Sequence, residues 1–128
     1  MGTEHRTILF VEDEPLLGEL MTEALTDKGF DVEVAPSASH ALRHLLSGAE
    51  VDVLFTDIDL GEGMDGATLA QLARVMRPQL PVVYASGRRS ADQLDTVPGS
   101  VFLPKPYSLS QVDATINGLF LGETQPRR

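Results

Sequence analysis

The chain has 128 residues, no cysteine and a formal net charge of -9 at pH 7. This length suits one domain with a single buried core, and the lack of cysteine excludes a disulfide framework, a thiolate zinc site and a cysteine nucleophile. The acidic excess argues against binding of nucleic acid or anionic membrane, since such surfaces carry excess Lys and Arg, and it favours a metal ion or a cationic partner.

The N-terminal residues carry no apolar leader, and no apolar run nears the roughly 20 residues that a membrane span needs. We therefore expect a cytoplasmic protein without membrane contact. Composition does not shift before the C-terminus, so a single domain over residues 1–122 and a polar tail over residues 123–128 are predicted.

Apolar strands and amphipathic helices alternate along the first half of the chain. The third strand is mostly apolar and β-branched and ends in a carboxylate, which is typical of a strand buried on both faces. The first helix carries two apolar rows, Leu16, Leu20 and Ala24 beside Leu17, Met21 and Leu25. The predicted elements are a strand Thr7–Val11, a helix from Pro15 to Gly29, a strand Phe30–Ala35, a helix closing at Gly48 and a strand Val51–Asp57.

The second half continues the alternation. Its elements are a glycine-rich loop Leu60–Gly66, a helix stopped by Arg77 and Pro78, a strand Pro81–Ala85, a short strand Val101–Leu103 and a last helix from a Ser108 cap to about Leu121. One or two helical turns are predicted over Ser90–Asp95, where Pro98-Gly99 closes the segment early.

Five alternations of strand and helix predict parallel strands joined by right-handed crossovers, with helices on both faces of the sheet. We expect an α/β flavodoxin-like doubly wound (βα)5 sandwich with the strand order 2-1-3-4-5. In that order the first and third strands are neighbours, and their carboxyl ends meet at the switch point where ligands bind.

Acidic residues follow both of these strands. Glu12 and Asp13 come directly after the first strand, and Asp57 ends the third. Three carboxylates in a small volume raise one another's pKa unless a cation is present. Because oxygen ligands with room for water suit Mg²⁺, a magnesium site is predicted here.

The fourth and fifth strands end at Ser86 and Lys105. An aspartate, a divalent ion, a lysine and a hydroxyl are the groups needed to accept a phosphoryl group. The carboxylate attacks in line, while the cations neutralise the phosphoryl oxygens. This set predicts an aspartyl phosphate on Asp57.

The same residues resemble the receiver domains of two-component response regulators, over about Thr7 to Leu121. The matching motifs are the acidic pair Glu12-Asp13, the acceptor Asp57, the hydroxyl residue Ser86 and Lys105-Pro106-Tyr107. The resemblance implies a signalling domain rather than an enzyme. It also implies that a histidine kinase or a histidine phosphotransfer protein donates the phosphoryl group and that Mg²⁺ is required.

The resemblance further implies a switch in which Ser86 and Phe102 reorient on phosphorylation, and a cis peptide bond between Lys105 and Pro106. The segment between Ser86 and Lys105 is short for the family, so little remains of the family's fourth helix. We therefore expect a downstream protein partner to contact mainly the fifth strand and the last helix. Asp59 either contributes to the metal site or pairs with Arg88.

Other interpretations of these residues exist. An acid ahead of Pro15 is also a common helix cap. Asp57-Ile-Asp59 resembles the D-x-D motif of haloacid-dehalogenase-type phosphatases, although that motif follows the first strand there. A receiver-like interaction module that no longer transfers phosphate is a third possibility. The glycine pattern Gly61–Gly66 matches a dinucleotide fingerprint, but it follows the third strand and carries acids where a pyrophosphate would lie.

Overall fold

The computed structural model describes residues 5–61, 63–88 and 95–121. Strands and helices alternate over these residues until β4, which is followed by β5 and a last helix. The elements are β1 Thr7–Val11, α1 Pro15–Asp27, β2 Asp31–Ala35, α2 Ala38–Leu46, β3 Val53–Asp57, α3 Gly66–Met76, β4 Val82–Ser86, β5 Val101–Pro104 and α4 Leu109–Leu119.

The five strands form one parallel sheet in the order β2-β1-β3-β4-β5. Helices α2 and α3 pack on one face, and α1 and α4 pack on the other. The predicted doubly wound fold and strand order are therefore confirmed. Within the described parts of the chain, no helix is long and apolar enough to cross a membrane.

Element boundaries differ from the predicted ones by one or two residues. β3 begins at Val53 rather than Val51, because Asp52 ties the chain to the start of β1: its carboxylate accepts a hydrogen bond from the Thr7 amide at 2.7 Å. β4 extends through Ser86, so the predicted hydroxyl lies within the strand. Most of the predicted turns at Ser90–Asp95, the boundary at residue 122 and the tail 123–128 lie outside the described residues.

Side-chain caps define the starts of three helices. Ser37, Asp65 and Ser108 each accept a backbone hydrogen bond from the first turn of α2, α3 and α4, and Ser108 forms a capping box with Gln111. Helix α1 differs, since Glu14 at its N-cap makes no side-chain hydrogen bond to the helix. The acids ahead of Pro15 thus have another local role.

Only one of the two apolar rows on α1 faces the sheet. Met21 and Leu25 are buried, whereas Leu16 and Leu20 are 67% and 54% exposed. Gly18 lies on the buried side, and a Cβ there would come within 3.3 Å of Val34. The close approach at Gly18 lies on this buried side, and Leu16 and Leu20, which belong to the predicted apolar stripe, are exposed.

Candidate functional site

The carboxyl ends of the strands bring the candidate residues to one edge of the sheet. Val11 pairs with Thr56, so Glu12 and Asp57 follow at adjacent positions of β1 and β3. β4 and β5 are held together at their ends by a backbone hydrogen bond of 2.9 Å from the Lys105 amide to the Ser86 carbonyl. The structure thus places Glu12, Asp57, Ser86 and Lys105 around one cleft.

Three carboxylates meet at the β1–β3 junction. One oxygen from each of Glu12, Asp13 and Asp57 lies within 4.8 Å of the other two. Glu12 and Asp57 are 3% and 6% exposed, while Asp13 is exposed to solvent. Glu12 Oε2 accepts a hydrogen bond from the Glu14 amide at 3.2 Å, but Oε1 is buried without a partner among the described residues. An oxygen-only set with one solvent-facing ligand fits Mg²⁺, which keeps several waters.

The electrostatics of this cluster favour a bound cation. Burial, and then the charge on Asp57, raises the pKa of Glu12 to about 7. Burial also raises the pKa of Asp57, although the hydrogen bond and charge of Lys105 partly offset it. The acids are therefore crowded and poorly solvated, and a divalent ion would relieve both effects.

Lys105 reaches the acceptor from β5. Its Nζ donates to Asp57 Oδ2 at 3.0 Å, and the two side chains are 27% and 8% exposed. Burial alone would lower the pKa of Lys105, but the hydrogen bond to Asp57 and the charges of Asp57 and Glu12 raise it. The ammonium is therefore charged at neutral pH. The Lys105–Pro106 peptide bond is cis, as the resemblance implies.

Ser86 and Asp59 form a second contact beside the acceptor. The Ser86 hydroxyl donates to Asp59 Oδ2 at 3.4 Å and accepts from the Arg88 amide at 3.2 Å. Asp59 lies outside the three-carboxylate cluster. This contact between Ser86 and Asp59 was not predicted from the sequence, because it depends on the path of the loop after β3.

Two glycines of the loop after β3 lie close to the acids. A Cβ at Gly66 would overlap the backbone carbonyl of Asp57, and a Cβ at Gly61 would come within 3.1 Å of Asp13 Oδ2. Gly61 also has a φ of 75°, which disfavours other residues. Packing around the acids, rather than nucleotide binding, therefore explains Gly61 and Gly66 of the glycine pattern that matches a dinucleotide fingerprint.

Two aromatic residues extend the site into the core. Phe102 on β5 pairs with Tyr84 on β4 and is partly buried against the core on the α2–α3 face. Tyr84 is fully buried, and its hydroxyl accepts a hydrogen bond from the Val97 amide at 3.0 Å. The sequence did not predict this hydrogen bond of the Tyr84 hydroxyl, because Tyr84 has the pattern of an ordinary core residue.

Asp13, Asp57, Asp59, Arg88 and Lys105 are among the residues that line an open cleft of about 660 Å³ at this edge of the sheet. The charges on its walls are of both signs, with the cations on the β4–β5 side.

Receiver domains are among the known proteins that this chain resembles in sequence and fold. The family described as the response regulator receiver domain matches residues 8–117. A response regulator receiver protein from Sinorhizobium medicae is 36% identical, with a TM-score of 0.83 over 91% of this chain and 94% of that one. The receiver domain of the hybrid histidine kinase CckA is 30% identical, with a TM-score of 0.75 over 88% of this chain and 96% of that one.

Longer proteins contain a similar segment. The sensor kinase CckA of Brucella abortus is 34% identical over 114 residues, which are 86% of this chain and 12% of that protein. The transcriptional regulatory protein TcrA of Mycobacterium tuberculosis is 30% identical over 115 residues, which are 88% of this chain and 45% of that protein. The chain thus spans less than half the length of either relative. From its strand order, its strand-end residues and these matches, the chain belongs to the response regulator receiver domain family.

Proposed function

We propose that the domain accepts a phosphoryl group on Asp57 from a histidine kinase or a histidine phosphotransfer protein, in a Mg²⁺-dependent reaction, and passes the signal to a protein partner. One observation carries this proposal. The Asp57 carboxylate is the point at which the three-acid cluster and Lys105 converge, since it is within 4.8 Å of ligand atoms on Glu12 and Asp13 and 3.0 Å from Lys105 Nζ.

The transfer is a displacement at phosphorus. One oxygen of Asp57 forms a bond to phosphorus as the bond from phosphorus to the donor's imidazole nitrogen breaks, and the imidazole leaves with that electron pair. Lys105 shifts from the carboxylate to a phosphoryl oxygen, and Ser86 donates a hydrogen bond to another. Mg²⁺, held by Glu12, Asp13 and Asp57, would supply further neutralisation of the phosphoryl oxygens.

The phosphatase interpretation has less support. A general acid at Asp59 would need to face a leaving oxygen, but its carboxylate contacts the Ser86 hydroxyl. The acceptor also lies on β3, with Glu12 and Asp13 at the end of β1. An acidic pair after the first strand and an acceptor on the third strand are what the resemblance to receiver domains implies. In the proposed function, Asp57 of this chain retains the phosphoryl group as a signal.

The net charge of the chain bears on the kind of partner that we propose. The net charge of -9 disfavours direct binding of nucleic acid, so we place the output on a protein. Lys105, which contacts Asp57, directly follows β5, and α4 begins at Leu109, a few residues farther along the chain. These two elements are therefore the ones that a change at Asp57 reaches by the shortest path.

Incubation with acetyl phosphate and Mg²⁺, followed by intact-mass measurement, tests the proposal. The wild-type domain should gain one phosphoryl group, and Asp57→Asn should gain none. Asp52→Asn is the matched control, because this carboxylate lies at the opposite end of β3, and it should be labelled like the wild type. A phosphoryl group mapped to any residue other than Asp57 would overturn the assignment.

A further inference from the structure

Two buried polar atoms near the acid cluster have no hydrogen-bond partner among the described residues. They are Glu12 Oε1 and the hydroxyl oxygen of Tyr107. A buried polar group without a partner is costly, and native proteins rarely leave one. One of these atoms belongs to a carboxylate, which accepts hydrogen bonds, and the other carries a hydroxyl proton. They are therefore chemically complementary.

The packing of Tyr107 places it on the same side of the sheet as the acids. Its ring contacts Phe55 with the ring centres 5.7 Å apart, and Phe55 stacks on Phe10 at 5.0 Å. Because alternate residues of an extended strand share a face, Phe10 leads to Glu12 and Phe55 leads to Asp57. The tyrosine ring therefore lies on the same face of the sheet as the two buried carboxylates.

The electrostatic surroundings fix the role of the hydroxyl. Burial, and then the charges on Glu12 and Asp57, raises the pKa of the Tyr107 phenol. The phenol consequently keeps its proton at physiological pH and faces negative charge as a hydrogen-bond donor. Glu12 has one oxygen committed to the Glu14 amide and the other without a partner.

We propose that Tyr107 is a positioning residue for the metal site, whose hydroxyl donates through one buried water to the second carboxylate oxygen of Glu12 and so fixes the orientation of that carboxylate. Partners behind metal-binding groups commonly set affinity in this way. The inference rests on the proposed function, since it assumes that the three-acid cluster holds Mg²⁺. In this proposal the Tyr107 hydroxyl orients the Glu12 carboxylate, which a phenylalanine at the same position could not do.

The first test measures Mg²⁺ binding to Tyr107→Phe by calorimetry. This substitution keeps the ring and removes only the hydroxyl, so we expect Mg²⁺ affinity to fall by about ten-fold while the domain remains folded in metal-free buffer. Tyr84→Phe is the matched control, because its hydroxyl contacts the Val97 amide rather than an acid, and it should bind Mg²⁺ like the wild type. In a Glu12→Gln background, Tyr107→Phe should have no further effect on affinity.

The second test uses the tyrosines as reporters. The chain contains two tyrosines and no tryptophan, so ring NMR signals of tyrosine-labelled protein can be assigned with Tyr107→Phe alone. Addition of Mg²⁺ should shift the Tyr107 ring signals and leave those of Tyr84 in place.

The outcomes separate this inference from the function on which it rests. Wild-type Mg²⁺ affinity in Tyr107→Phe, together with unshifted Tyr107 ring signals, would overturn the role of Tyr107 alone. Failure of the wild-type domain to bind Mg²⁺ would overturn the proposed metal site as well.

Discussion

Lys105 Nζ lies 3.0 Å from Asp57 Oδ2, so the candidate acceptor is already ion-paired before a phosphoryl group arrives. The carboxylate is the more buried partner, at 8% exposure against 27% for the lysine. The ammonium thus approaches from the solvent side, where an incoming phosphoryl group would also lie. In this geometry the Lys105 ammonium can pair with Asp57 before phosphorylation and with a phosphoryl oxygen afterwards, because it can move between them without leaving the cleft.

Replacement of Lys105 with alanine should separate phosphorylation from its consequence. The fold should persist, because the lysine is partly exposed and contacts the acceptor only through its terminal ammonium. Labelling by acetyl phosphate should slow, and the phosphorylated variant should fail to show the spectral change of the wild type. Circular dichroism and amide NMR spectra check the two parts, and a wild-type conformational response in the variant would contradict this role.

Stability of the metal-free domain should depend on pH through Glu12. Its pKa is about 7 in the folded domain against an ordinary value of 4.5. The folded state therefore binds more protons than the unfolded state between these values, so this residue makes the domain lose stability as pH rises from about 4.5 to 7. The full effect is on the order of 3 kcal/mol at most.

Urea titrations at pH 5 and pH 7 measure this effect. Glu12→Gln cannot titrate, so its stability should change less between the two pH values than that of the wild type. Saturating Mg²⁺ should also remove much of the wild-type loss at pH 7, because the cation stabilises the charged carboxylates. Equal pH dependence of the wild type and Glu12→Gln would show that Glu12 is not the group responsible.

Gly66→Ala should be strongly destabilising. The added Cβ would overlap the backbone carbonyl of Asp57, so either β3 or the start of α3 must shift. We expect a loss of about 2–3 kcal/mol in the free energy of unfolding, as for overpacking of a core. Gly118→Ala on α4 is the matched control, because its Cβ would meet nothing within 4 Å, and it should raise stability by about 0.5–1 kcal/mol. Thermal or urea unfolding compares the two.

Phosphorylation should draw the Ser86 hydroxyl away from Asp59. The resting contact is long, at 3.4 Å, whereas a hydrogen bond to a charged phosphoryl oxygen is worth about 1.5–3 kcal/mol and shifts a two-state equilibrium ten-fold or more. Amide NMR with beryllofluoride as a phosphoryl mimic should show changes at Ser86, Phe102 and α4. Ser86→Ala should keep the changes near Asp57 and lose those at Phe102. Changes confined to Asp57 in the wild type would count against the switch.

The sequence predicted those features that depend on strand order and strand ends. The mostly apolar, β-branched run before Asp57 identified the central strand, and the alternation of elements determined which ends meet. Contacts that depend on helix rotation or loop path were not predictable in this way. On α1, periodicity gave two adjacent apolar rows, and it did not show that the side carrying Gly18 packs close to Val34 while Leu16 stays exposed.

Other contacts escaped prediction because the residue type alone does not reveal a partner. Tyr84 and Tyr107 both have the pattern of core aromatics, yet one hydroxyl contacts the Val97 amide and the other lies near the acids. Asp59 is two residues beyond the acceptor, but its direction depends on the glycine-rich loop. Prediction of each of these contacts would have required the path of the backbone after the preceding strand.

The backbone hydrogen bond between the Lys105 amide and the Ser86 carbonyl couples the main chain of the two residues that carry the ammonium and the hydroxyl. A movement of the end of β4 toward a phosphoryl oxygen would therefore reach the end of β5 as well, and α4 begins only a few residues beyond. The main chain would then provide a second route from the site to the surface, beside the reorientation of the Ser86 and Phe102 side chains.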